Sequence, residues 1–132
     1  MKRGSAYTFG VFDMLHIGHL NLFKNIKKEF DRLVVGVHND EQVMTYKLKP
    51  ITTYEHRLEI VKSIKYVDEI VENAPLVATD KLLDSLAVSC VVAGREKEEY
   101  ISKYYQVSPS RLVLLARTPN VSTSELRVVL KE

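Results

Sequence analysis

The sequence predicts an α/β protein, one doubly wound domain of about five parallel strands with helices on both faces of the sheet. Three observations predict it. The apolar, β-branched runs at 32–37 and 89–93 are continuous rather than alternating, as in strands buried on both faces. Between such runs lie stretches of helical composition, the first carrying Ile17, Leu20, Phe23 and Ile26 at helical spacing. Strand, helix and buried strand also follow one another within about thirty residues, which makes a βαβ unit with a right-handed crossover.

Residues 7–19 read as strand, tight turn and helix N-terminus, with Gly10 closing the strand and Asp13 in the turn. After the first helix comes the strand at 32–37, stopped by His38-Asn39-Asp40. Residues 41–53 lack periodicity and carry Lys47, Lys49 and Pro50, so they are expected to form a mobile, positively charged loop. Thr52 and Glu55 match a capping box that opens a helix with Leu58, Val61 and Ile64 on its apolar face. Arg57, in the first turn of that helix, opposes the dipole; it either pairs with Glu55 or Glu59 or is aimed at an anion. A short strand at 66–71, a short helix at 80–86 and the buried strand at 89–93 follow, the last ending at Gly94-Arg95-Glu96. Helical composition returns at 97–105, and 111–115 is the last strand. It leads into a second capping box, Ser122 with Glu125, on a terminal helix of Leu126, Val129 and Leu130. With no repeat, low-complexity tract or linker, residues 1–132 are expected to be a single Rossmann-like domain whose ligand edge lies at the carboxyl ends of the strands.

A chain of 132 residues is long enough for one core and short for two. No segment approaches the roughly 20 apolar residues of a membrane span, and the N-terminus lacks the apolar stretch of a signal peptide. A cytoplasmic protein without membrane contact is therefore expected. The net charge of +2, without a basic block or stripe, gives no reason to expect nucleic acid, and any anionic ligand should be small. Cys90 has no partner for an internal disulfide and sits in an apolar run, as a small core residue does.

His16 and His19 are the chemically telling pair. A glycine after a buried strand admits a ligand to the backbone, and the helix that follows presents unpaired N–H groups and a positive dipole end. Two imidazoles three positions apart then share one face of the first turn, where each can donate to a phosphate oxygen. A zinc half-site would use the same spacing, but with one cysteine and only His38 and His56 besides, no second cluster completes it, and no protein metal site is expected.

His16-Ile17-Gly18-His19 resembles the HxGH signature of the nucleotidylyltransferase superfamily, and residues 7–19 are similar to the start of the small cytidylyltransferases typified by glycerol-3-phosphate cytidylyltransferase. Tyr54-Glu-His-Arg57, Tyr66-Val-Asp68, and Arg117-Thr118 with Val121-Ser-Thr-Ser124 resemble the same pattern in order and spacing, so the likeness covers nearly the whole chain. It implies attack of a phosphomonoester on the α-phosphate of CTP, with Mg2+ accompanying the triphosphate, in a homodimer. The resemblance assigns catalysis to His16, His19, Arg117 and Lys49, the histidines on the α-phosphate and the cations on the leaving pyrophosphate. It places the nucleotide against Phe9, Gly10, Val11, Phe12, Gly18, Gly94, Thr118, Val121, Ser122 and Thr123 as well. The acceptor would meet Lys47, Arg57, Lys65, Asp68, Arg95 and Glu96.

The chain departs from the family at Lys65, where an arginine is usual, at Arg95-Glu96 in place of two aspartates, and at Pro119-Asn120 in place of an acidic residue and glycine. These departures bear on the acceptor. Two other readings share the scaffold: an adenylyltransferase using ATP, as for flavin or pantetheine phosphate, and a nucleotide-binding regulatory module without turnover.

Overall fold

The computed structural model of the chain describes residues 2–94 and 98–115. Arg95, Glu96 and the whole 116–132 segment, including the expected terminal helix, lie outside the described residues. The elements are β1 (Arg3–Gly10), α1 (Ile17–Glu29), β2 (Phe30–Val37), α2 (Asp40–Val43), α3 (Tyr54–Lys62), β3 (Glu69–Val71) and β4 (Ala78–Thr79). They continue with α4 (Asp80–Ser85), β5 (Cys90–Gly94), α5 (Glu98–Tyr104), β6 (Tyr105–Gln106), a 3-10 turn at Pro109–Arg111 and β7 (Leu112–Leu115).

Five strands form one parallel sheet in the order β3-β2-β1-β5-β7, which is the expected α/β architecture. The direction of winding reverses between β1 and β5, so the crevice beyond their carboxyl ends is where such sheets take ligands. β1 and β2 pair from Arg3–Phe30 to Gly10–Val37; β2 is buried over most of its length, as its continuous apolar run requires, and β1 over residues 6–9. Successive side chains leave on opposite faces. Leu33, Val35 and Val37 meet Phe23 and Ile26 of α1 and Leu58 and Val61 of α3, while Tyr7, Phe9, Val34 and Val91 meet Leu83 of α4 and Tyr104 of α5. Cys90 is buried in the first of these cores, where burial pushes its thiol pKa up and away from nucleophile chemistry.

Four expectations change. Ile17, placed on the apolar face of α1, is exposed; Phe23 and Ile26 carry that face. The cap of α3 is Thr53, which accepts from the His56 N–H at 3.3 Å, because the Thr52 hydroxyl is taken by Asp13. The strand expected at 66–71 begins only at Glu69, since Asp68 exchanges two bonds with the Leu33 backbone as the ladder starts. A second, two-stranded parallel ladder of β4 and β6 was not legible in so few residues.

Gly36 in β2 pairs with Phe9 and lies diagonally across the ladder from Tyr7. A Cβ there would collide with the Tyr7 hydroxyl and stand 2.7 Å from the Ala74 Cβ. That hydroxyl is itself buried with no hydrogen-bond partner among the described residues. Gly36→Ala is expected to cost about 1–3 kcal/mol by overpacking. Tyr7→Phe, which removes an unsatisfied polar atom, should be neutral or gain about 1 kcal/mol. In the double variant Tyr7→Phe should recover part of the Gly36→Ala loss, and strictly additive urea-unfolding energies would show that the two sites do not touch.

Candidate active site

The carboxyl ends of β1 and β2 are tied together by the His38 N–H, which donates to the Gly10 carbonyl at 3.0 Å. Beyond Gly10 the chain makes a tight connection to α1 in which Phe12 and Met14 both have positive φ, at 56° and 48°. Left-handed backbone at residues with a Cβ is costly and persists only where the surroundings over-determine it. Here they do. The Asp13 carboxylate, buried between the two, accepts from the Ile51 N–H at 2.8 Å, the Thr52 N–H at 2.9 Å and the Thr52 hydroxyl at 2.7 Å. The Phe12 ring is driven into the core against Phe23, with the His19 ring at its edge.

This connection delivers His16 as the N-cap of α1. Its Nδ1 accepts from the Gly18 N–H at 3.0 Å, and the Nδ1 of His19 accepts in return from the His16 N–H at 3.1 Å. The two rings lie 4.0 Å apart and nearly parallel. A neutral imidazole whose Nδ1 accepts carries its proton on Nε2. The hydrogen-bond network therefore assigns both histidines the same tautomer, with Nδ1 spent on the helix cap and Nε2–H as the donor. Burial, then His16 and then Lys47 push the His19 pKa down to about 4 against the opposing charge of Asp13, so the ring is neutral at ordinary pH. Two neutral donors at the N-terminus of a 13-residue helix form a site suited to an anion's oxygens.

Gly10, Val11, Phe12, His16, Gly18 and His19 thus come together on one connection, and Gly94 ends β5 across the crevice from them. Lys47 belongs to the same neighbourhood, its charge reaching both His19 and His38. Lys49 is exposed two residues further along that loop. The loop is more ordered in plan than its composition suggests: it opens with the helical turn α2 and closes on Asp13.

Three of the expected positions have other partners in the structure. Arg57 is fully buried, with Nη1 donating to the Val11 carbonyl at 2.7 Å and the His38 carbonyl at 2.8 Å, Nε to the Thr52 carbonyl at 3.3 Å, and Nη2 to the Asp40 carboxylate. Lys65 and Asp68 precede β3, at the opposite end of the sheet from Gly10; Asp68 pairs with Leu33, four residues before the Val37 that pairs with Gly10. The Asp68 carboxylate takes the Leu33 N–H at 2.7 Å and Lys27 at 2.8 Å, and the Lys65 ammonium lies over the Tyr66 ring. The Phe9 ring turns away from the histidines into the second core, against Tyr7, His38 and Tyr105. Arg95, Glu96, Arg117, Thr118, Val121, Ser122 and Thr123 lie outside the described residues.

Sequence reasoning gave Asp13 only a turn, Thr52 only a helix cap and His38 only a place at the ligand edge, and passed over Tyr46. His38 carried a signal, as the first polar residue after a buried strand at the ligand edge. Among the described residues no three His, Cys, Asp or Glu side chains group to hold a metal ion, and no helix is long and apolar enough to cross a membrane.

The profile of the cytidylyltransferase-like family matches residues 7–129. Ethanolamine-phosphate cytidylyltransferase of Dictyostelium discoideum is 34% identical over 130 residues, which is 92% of this chain and 35% of that protein. Glycerol-3-phosphate cytidylyltransferase of Bacillus subtilis (strain 168) is 30% identical over 120 residues, 91% of this chain and 92% of that protein. Among solved structures, the lipopolysaccharide core biosynthesis protein from Thermoplasma volcanium GSS1 superposes with a TM-score of 0.68 at 25% identity, over 86% of this chain and 97% of that one. The chain spans about a third of the length of the ethanolamine-phosphate cytidylyltransferases it matches. A profile that runs through the capping histidines and across nearly the whole parallel sheet settles the lineage: the chain belongs to the cytidylyltransferase-like family.

Proposed function

We propose that the protein is a CTP-dependent cytidylyltransferase that joins CMP to a small phosphomonoester and releases pyrophosphate. The observation that carries the reading is the matched tautomer of His16 and His19, which aims two neutral N–H donors from one helix start. In the reaction an oxygen of the acceptor's phosphate bonds to the α-phosphorus while the bond to the bridging oxygen of the β-phosphate breaks. The attacking oxygen is already anionic, so no base is needed, and the difficulty is charge and alignment. His16 and His19 donate to the α-phosphate oxygens as negative charge gathers there. Gly10, Val11, Phe12, Gly18 and Gly94 line the nucleotide's path. Lys47 serves the acceptor's phosphate, and Lys49 closes on the leaving pyrophosphate with Arg117, Thr118, Val121, Ser122 and Thr123, assignments that rest on the family resemblance. Mg2+ enters with CTP as part of the substrate, on the phosphate oxygens.

Arg95 and Glu96 select the acceptor in this proposal. Guanidinium suits a carboxylate and Glu suits an amino or hydroxyl group. The relatives named for ethanolamine phosphate and glycerol 3-phosphate set the range of acceptors to try. A cytoplasmic homodimer, each chain folded as one nucleotide-binding domain, completes the reading.

The test is pyrophosphate release from CTP or ATP against a panel of phosphorylated polyols, amino alcohols and amino-acid derivatives. Release that needs CTP together with one acceptor class is expected. Release with ATP alone would move the protein to the adenylyltransferases, and CTP binding without any release would make it a regulatory module.

A further inference from the structure

We propose that His38 is a positioning residue that, through the hydroxyl of Tyr46, holds the 44–51 loop and its Lys47 over the anion site. His38 stands at the end of β2 with its ring fully buried. Its Nε2 lies 3.2 Å from the Pro75 carbonyl, which can only accept, so Nε2 carries the proton and Nδ1 is left to accept. The Tyr46 hydroxyl is 3.3 Å from that Nδ1 and donates to it. Both buried polar groups of the ring are then satisfied, one by the 75 backbone and one by the loop.

The loop leaves His38 and returns to it. Asn39 caps α2 with a reciprocal bond to Gln42, and the turn that follows brings the Tyr46 and Lys47 N–H groups onto the Val43 carbonyl at 3.1 and 2.9 Å. Of residues 44–49, Tyr46 alone turns its side chain inward; Met44, Thr45, Lys47, Leu48 and Lys49 are exposed. Within this stretch the Tyr46 ring is the apolar group that reaches the second core, so Tyr46 holds it at one end and Asp13, on Ile51 and Thr52, at the other. The Tyr46 ring also packs on Tyr104 of α5, with its centroid 5.3 Å away, and the Lys47 ammonium lies 5.8 Å from the centre of the Tyr46 ring. Placing Tyr46 therefore places Lys47, whose charge reaches His19. Burial, against the pull of the Pro75 carbonyl, keeps the imidazole neutral and able to accept, helped by the charged groups that reach the ring, the Arg57 guanidinium bonded to the His38 carbonyl and Lys47.

The experiment is limited trypsin cleavage of the intact protein, read by mass spectrometry at the Lys47–Leu48 bond, since the Lys49–Pro50 bond resists trypsin. Tyr46→Phe is expected to speed cleavage after Lys47 roughly five- to tenfold, the effect of one lost hydrogen bond on local opening, without speeding cleavage at the exposed Lys24 and Lys81. In a His38→Asn background the same substitution should add less than in the wild type, because the bond it removes is already compromised. A rise at all sites together, or an unchanged rate at Lys47, overturns the proposal. The second readout, which rests on the CTP reading and on Lys49 of the same loop closing on the pyrophosphate, is a KM for CTP that rises severalfold more than kcat falls. Faster Lys47 cleavage with an unmoved KM sustains the anchor and counts instead against CTP lying under this loop.

Discussion

Removing either imidazole donor is expected to lower kcat about 10²–10³-fold, the loss seen when a preorganised donor to developing charge is deleted. Alanine at position 16 would also remove the N-cap of α1, at about 1 kcal/mol, so His16→Asn is the sharper variant. Asparagine supplies an oxygen to the Gly18 N–H but has no donor where Nε2–H stands. For His19, Ala is adequate, because the bond it forfeits is a single cap acceptor on the His16 N–H. The pH of the assay matters. Burial first, and then His16, hold His19 near pKa 4 against 6.5 in the unfolded chain, so as pH falls the unfolded state takes up the proton first. The stability that depends on this group is complete above about pH 6.5 and is lost towards pH 4, and kinetics measured above 6.5 compare proteins undiminished by it. Circular dichroism at that pH should report an intact helix content. Unchanged turnover by a folded His16→Asn, His19→Ala double variant would remove both residues from the chemistry.

That much of the site was readable from the sequence because the information is local. A strand end, a glycine and two histidines within one helical turn fix their own geometry, and the continuous runs of β2 and β5 announce a parallel sheet whose carboxyl edge must collect them. What failed was non-local. Asp13 looked like a turn residue because its partners, Ile51 and Thr52, are 38 and 39 residues away and two of its three bonds go to backbone N–H groups, which any residue could supply. The same contact moved the α3 cap by one residue, since a threonine already bonded to Asp13 could not also close a capping box. The place of Asp68 was hidden for the opposite reason: Tyr66-Val-Asp68 is a good motif in the right order, but order along the chain does not say which end of a strand a residue occupies. His38 and Tyr46, eight residues apart, meet only because α2 turns the chain back, and a four-residue helix has no periodicity to detect.

Arg57→Ala is expected to be the most destabilising single change at the site, by about 3–5 kcal/mol, because it deletes one member of a buried charge network and strands the rest. The guanidinium is fully buried and joins four segments: the Val11 carbonyl before the strained turn, the His38 carbonyl at the end of β2, the Thr52 carbonyl before α3, and Asp40 at the start of α2. Its removal leaves two buried carbonyls and a partly buried carboxylate without the donors that made their burial tolerable. Arg57→Lys should recover less than half of the loss, since one ammonium on a flexible stem cannot reproduce a planar fork that serves carbonyls on two sides and a carboxylate on a third. Asp40→Asn should be much milder, because the amide oxygen still accepts and the Asp40 side chain is 31% exposed. The functional consequence follows from Val11. Its carbonyl is pinned immediately before Phe12, so loss of the pin lets the left-handed turn relax and carries His16 and His19 out of register before the protein unfolds globally. Urea unfolding of the three variants orders them as Ala, Lys, Asn in decreasing loss, and an Arg57→Ala unfolding free energy within about 1 kcal/mol of the wild type would show that these carbonyls find other donors.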